Sequence, residues 1–80
     1  MKKEILFFSS PWCGPCRQIK SMLNENIISE LNMRVINIAD DIEEATAFKV
    51  MNVPTFIKLV DGLEETRIIG STTVDALRKL

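Results

Sequence analysis

The sequence has no histidine, no tyrosine and only two cysteines among its 80 residues. A disulfide-stapled secreted miniprotein usually carries four to eight cysteines at wide spacings; here both lie within one tetrapeptide, Cys13 to Cys16. Charge of one sign is also missing. Ten basic and eleven acidic residues leave a formal charge of -1, which gives no electrostatic footprint for nucleic acid or an anionic membrane. No apolar run approaches the ~18 residues of a membrane span. The N-terminal run Ile5-Leu6-Phe7-Phe8 is too short for a signal-peptide core of roughly 7–15 residues, and Glu4 interrupts the basic stretch before it. The expected location is therefore the cytoplasm. No G-x-G-x-x-G is present, so the chain has no dinucleotide fingerprint of its own.

The length suits one domain spanning residues 1–80, with apolar residues at 46% and charged residues at 26%, as in a globular protein. No repeat, linker or low-complexity stretch divides it. Lys3 to Ser9 reads as a strand buried on both faces, ended by Ser10-Pro11. A helix is expected from Cys13, with Pro15 tolerated in the first turn because its missing N–H would have no helical partner. Ile19, Leu23 and Ile27 carry its apolar stripe to an end near Ser29 to Leu31. Arg34 to Ala39 reads as a second strand. Asp40 or Asp41, with Glu43 or Glu44 three residues on, suggests a capping box opening a helix whose apolar face is Ile42, Ala45 and Phe48. Thr55 to Val60 and Glu64 to Ile69 read as strands joined by an Asp61-Gly62 hairpin turn. Gly70 ends the last strand, and Ser71 or Thr72 caps a short helix bearing Val74, Leu77 and Leu80. The order βαβαββα predicts an α/β fold: a four-stranded mixed sheet, its first two strands parallel and its last two antiparallel, with helices on both faces.

Three roles are open to Cys13 and Cys16. A structural cross-link over so short a loop stabilises by only about 2 kcal/mol before strain is subtracted. A structural zinc site needs four ligands, and the chain has two cysteines and no histidine, so no metal is expected. A catalytic dithiol fits better. Residues at i and i+3 of a helix are about 5–6 Å apart, close enough to form a disulfide with little backbone movement. Cys13 at the helix N-terminus meets the positive dipole end and free N–H groups, which favour a thiolate. At pH 7 a thiol of pKa ~8.5 is roughly 3% ionised, and one lowered to ~7 is about half ionised. Cys16, one turn in, is expected to be more buried and to act second. Read on its own, Pro54 favours a trans bond, since only about 5–6% of X–Pro bonds are cis.

Trp12-Cys13-Gly14-Pro15-Cys16, followed at the right separation by Val53-Pro54-Thr55, resembles the thioredoxin family. Asp61-Gly62 and Gly70 also fall at the family's hairpin turn and pre-helix glycine, so the match runs along nearly the whole chain. The resemblance implies a thioredoxin fold and thiol–disulfide oxidoreductase activity on protein disulfides. Cys13 would be the nucleophile and Cys16 the resolving thiol, the two forming a reversible disulfide. It also implies a cis bond at Val53-Pro54, substrate pairing through the Val53 backbone, and an active site shaped by Trp12, Gly14, Pro15 and Gly70. Gly14-Pro15 points to a reductant. No bound cofactor is implied; electrons would come from an external NADPH-dependent flavoprotein resembling thioredoxin reductase, and the protein would work as a monomer. The alternatives are a glutathione-coupled enzyme similar to glutaredoxins and a thioredoxin-like binding subunit with incidental redox activity.

Two positions depart from the family. Its buried aspartate, six residues before the first cysteine, is Phe7 here, and the neighbouring lysine is Val35. The family's internal proton acceptor for the second cysteine is thus replaced by apolar groups, which are expected to keep this part of the core dry. The family's N-terminal strand–helix unit has no counterpart in these residues.

Overall fold

The computed structural model describes residues 1–80. Its four strands are β1 (Lys3–Ser9), β2 (Met33–Asn37), β3 (Thr55–Val60) and β4 (Leu63–Ile69), arranged β2-β1-β3-β4. β1 runs parallel to β2 and antiparallel to β3, and β4 completes an antiparallel hairpin with β3. β1 and β3 are therefore interior strands with both faces covered, which is why Ile5-Leu6-Phe7-Phe8 reads as an unbroken apolar run and β3 is apolar except at Thr55 and Lys58. The helices are α1 (Gly14–Met22), α2 (Glu25–Glu30), α3 (Ile42–Ala47) and α4 (Val74–Arg78). The α/β thioredoxin-type arrangement expected from the sequence is the one observed.

The sheet separates two apolar layers. On one face Ile5, Phe7, Met33 and Phe56 pack with Cys13, Cys16 and Ile19 of the α1 region and Leu77 of α4, while Ile28 of α2 packs at the edge. On the other, Leu6, Phe8, Ile36, Ile57 and Leu59 pack with Ala45 of α3. Phe7 and Phe56 stack at a centroid distance of 4.5 Å in the middle of the first layer.

Several local expectations are corrected. The helix beginning near Cys13 does not continue to Ser29–Leu31: Leu23 is extended, and the Asn24 side chain caps α2 by accepting from the Ile27 N–H at 2.9 Å. The apolar stripe persists across the break because two short helices in series cover the same layer. The second strand is Met33–Asn37, not Arg34–Ala39; beyond Asn37 its side chain accepts from the Ala39 N–H and turns the chain. No capping box forms at α3. Asp41 makes no side-chain cap bond, and Glu44 is drawn instead into a two-pronged pair with Arg34. Ile42 is 69% exposed, so the buried side of α3 is Ala45 with Phe48 behind it. The α4 cap is Thr73, whose hydroxyl accepts from the Ala76 N–H at 3.1 Å, in place of Ser71 or Thr72. Val35 lies on the edge strand and is 41% exposed, so the dry core expected there extends to Phe7 and not to Val35.

The end of α3 carries one backbone conflict. The Val50 N–H reaches the Ala45 carbonyl and the Lys49 N–H that of Thr46, a Schellman closure that puts Lys49 at φ 55°. A side chain in this left-handed region costs about 1–2 kcal/mol, and glycine gives back part of that gain as chain entropy. Lys49→Gly is therefore expected to stabilise the protein by about 0.5–1 kcal/mol, measured as a higher urea midpoint at unchanged slope.

Candidate active site

β1 delivers the chain to the C-terminal edge of the sheet, where Ser10 accepts from the Cys13 N–H at 3.3 Å and closes the turn through Pro11 and Trp12. Cys13 then serves as the N-cap of α1: its Sγ accepts from the Cys16 N–H at 3.1 Å. Sulfur thus occupies the place usually taken by a serine or aspartate oxygen, facing amide hydrogens that no carbonyl of the helix can use. Gly14 and Pro15 fill the first turn, and both are exposed. Cys13 and Cys16 are joined as a disulfide with a Cα separation of 5.1 Å. They differ in access, with Cys16 completely buried and Cys13 8% exposed.

The second wall is the segment before β3. The Val53-Pro54 bond is cis, as the resemblance implied and contrary to the trans form that Pro54 favoured when read alone. The Thr55 hydroxyl donates to the Asn52 carbonyl at 2.6 Å and the Gly70 N–H donates to the Pro54 carbonyl at 2.8 Å, fixing the loop from both ends. Gly70 does so at φ 99°, where a side chain would be strained. Ser71 and Thr72 then line a small gap beside Pro15 and Ile19, which places this turn against α1. Val53 packs against the layer that holds the cysteines, and its backbone N–H and C=O make no hydrogen bond within the chain. Trp12 is 80% exposed, and Met51 and Ile69 are also exposed apolar side chains.

Ser9, at this end of β1, and Arg67, on the opposite face of the sheet from the cysteines, are not singled out by the sequence motifs. The Arg67 guanidinium donates to the Phe48 carbonyl at 2.9 Å, tying β4 to the end of α3 and so to the start of the loop that carries Pro54. Its paired donation to Glu64 holds that carboxyl below the usual range and raises the guanidinium further. Ser9 ends β1, fully buried, on a strand whose polar terminus is easily read as the beginning of a turn. The available signal was its odd-numbered register with Ile5 and Phe7. No cluster of three or more His, Cys, Asp or Glu side chains is placed to hold a metal ion.

Chemically, the arrangement presents a reversible dithiol with one sulfur at a helix N-terminus and the other sealed behind it. The family model for Thioredoxin matches residues 1–80. The thioredoxin of Chlamydia pneumoniae is 36% identical over 76 residues, covering 91% of this chain and 74% of that protein. Among solved structures, Fasciola hepatica thioredoxin superposes with a TM-score of 0.82 at 30% identity, covering 98% of this chain and 76% of that one. A thioredoxin from Nicotiana alata gives 0.86 at 29% identity, covering 98% and 69%.

Proposed function

This chain belongs to the thioredoxin family and is a thiol–disulfide oxidoreductase, and from that premise we propose that it reduces protein disulfides, with residues 1–80 acting as one functional domain. The observation that carries the reading is Cys13 Sγ at the N-cap of α1. When the disulfide is open, the same amide hydrogens and helix dipole face a sulfur anion, lowering the cost of the nucleophile.

Cys13 thiolate attacks one sulfur of a substrate disulfide. A Cys13–substrate bond forms, the substrate S–S bond breaks, and the departing thiolate takes a proton from solvent. Cys16 thiolate then attacks Cys13 Sγ, closing the Cys13–Cys16 bond and releasing the second substrate sulfur. Two electrons pass to the substrate and the dithiol becomes a disulfide. The free N–H and C=O of Val53 suit an extended substrate segment laid alongside in strand fashion. Trp12, Gly14, Pro15, Pro54 and Gly70 shape the surface around the exchanging sulfurs. The protein functions as a cytoplasmic monomer, and an external NADPH-dependent flavoprotein reductase returns the disulfide to the dithiol.

The test is dithiothreitol-coupled reduction of insulin. Wild type should accelerate precipitation of the insulin chains well above the reagent alone, and Cys13→Ser should give only the reagent rate. Equal rates for the two proteins would overturn the enzymatic reading. Turnover with glutathione as the sole reductant would favour the glutathione-coupled alternative, and partner binding unchanged in the double serine variant would favour the binding subunit.

A further inference from the structure

The Ser9 hydroxyl is buried without a hydrogen-bond partner, and the residue as a whole has no exposed surface. An oxygen in that condition destabilises the fold, since folding removes its water partners and supplies none. Its position is specific. Strand pleating sends Ile5, Phe7 and Ser9 to one face, and Ile5 and Phe7 pack there with Cys13 and Cys16. Ser9 stands one pleat beyond Phe7, at the end of β1 from which the chain turns into the N-terminus of α1. Its backbone is held by register with Asn37 of β2 and by the Ile38 N–H, which donates to the Ser9 carbonyl at 2.9 Å.

With the disulfide closed the hydroxyl makes no hydrogen bond to either sulfur, and neither sulfur carries a charge to draw it in. Opening the bond leaves Cys16 as a thiol enclosed by Phe7, Phe56, Ile19 and Leu77, surroundings that oppose its ionisation. The charged groups on the surrounding elements are otherwise engaged or exposed. On β3, Lys58 pairs with Glu65 at 2.7 Å. On α4, Arg78 pairs with Glu30 of α2 and with Asp75. Arg17 and Lys20 of α1, Arg34 of β2 and Lys3 of β1 are exposed.

We propose that the Ser9 hydroxyl stabilises the Cys16 thiolate by donating its O–H to Cys16 Sγ once the disulfide is reduced. The inference rests on the exchange mechanism above and assigns a residue to the step that Phe7 leaves without an internal carboxylate. Serine is not the base. The Cys16 proton leaves to solvent, and the hydroxyl offsets the cost of the anion that remains. In the resolving step the thiolate's electron pair forms the Cys16–Cys13 bond, the Cys13–substrate bond breaks, and the substrate sulfur departs as a thiolate. A buried oxygen that weakens the oxidised protein thereby gains a partner in the reduced one.

The experiment compares wild type, Ser9→Ala and Ser9→Thr, each verified as folded by its denaturation midpoint. Two quantities are read: the equilibrium constant against a glutathione redox buffer, and the pH dependence of mixed-disulfide resolution after rapid mixing with a disulfide substrate. At a pH above the one at which Cys16 ionises, Ser9→Ala should shift the equilibrium up to about tenfold toward the disulfide, a potential about 30 mV more negative, and the shift should vanish where Cys16 is a thiol in both proteins. It should also move the resolving step's pH midpoint about one unit upward, while the initial attack by Cys13 stays within about twofold. The oxidised Ala variant should be at least as stable as wild type, the reverse of what loss of a merely structural serine would give. Ser9→Thr, which keeps the hydroxyl, should restore the wild-type midpoint. An Ala variant with wild-type potential and pH profile overturns the assignment, as does a folded Thr variant that behaves like Ala. Because wild-type insulin reduction is measured alongside, failure of the enzymatic reading appears as an inactive wild type, and failure of the Ser9 assignment as an active wild type matched by Ser9→Ala.

Discussion

Cys16→Ser is expected to turn a catalyst into a trap: the protein should accumulate as a covalent adduct with its disulfide substrate, through Cys13. Turnover should fall by at least about 10³-fold, the scale on which loss of a covalent nucleophile acts. The reason is geometric. Cys16 is fully buried, one helical turn from Cys13 and 5.1 Å from it between Cα atoms. Attack from within the fold thus enjoys an effective concentration that no external thiol at millimolar levels matches. A serine hydroxyl in the same place is far too weakly ionised to take over. Mass spectrometry of the quenched reaction should show one substrate sulfur on Cys13 and none on a Cys13→Ser control. Continued turnover by Cys16→Ser, or an adduct on Cys16 in the Cys13→Ser protein, would reverse the assigned roles.

The largest effect on stability is expected at Phe7. It is completely buried, stacked on Phe56, and on an interior strand between β2 and β3. Truncation to alanine removes both the transfer free energy and the stacking contact, and neighbouring strands cannot close the space without breaking register. A cost of about 3–5 kcal/mol follows. At roughly 0.05–0.15 kcal/mol per residue, a chain of this length holds only about 4–12 kcal/mol in all. The variant should therefore melt at least about 12 °C below wild type or fail to fold at the lower end of that range. Phe7→Leu keeps most of the volume and should cost less than about 1.5 kcal/mol. Calorimetry of the three proteins checks both statements. A Phe7→Ala melting point within a few degrees of wild type would mean that the layer beneath the cysteines is loosely packed.

The same residue shows what could and could not be read from the chain. β1, β3 and the Asp61-Gly62 turn were legible because each is set by local chemistry: the apolar run Ile5-Leu6-Phe7-Phe8 for β1, mixed β-branched and aromatic residues for β3, and two residues at φ 51° and 83° for a tight hairpin. The Trp12-to-Cys16 motif was equally plain, since two cysteines three residues apart and a proline suited to a first helical turn mark a helix start by local chemistry alone. The break at Leu23-Asn24 was hidden by an apolar spacing that continues across it; periodicity reports which face is buried and says little about whether the backbone is continuous. Ile42 looked like core by spacing, but only the placement of α3 over the sheet decides which side of so short a helix is covered. Val35 was apolar in a strand pattern, and its exposure depends on β2 lying at the sheet edge. Asp41 had capping-box spacing, yet Arg34, distant in sequence, claims Glu44. Ser9 is the same kind of case, because an unpartnered hydroxyl is a property of everything around it.

The exposed position of Trp12 also decides how the protein can be watched. It is the only tryptophan, and there is no tyrosine, so emission excited where phenylalanine does not absorb originates beside the disulfide and nowhere in the packed layers. Its indole is already surrounded by solvent in the native state, and unfolding should shift the emission colour little. Changes at the neighbouring sulfurs should instead alter its brightness. The optical signal is thus a local gauge of the redox centre, and loss of structure is better followed by circular dichroism of the backbone.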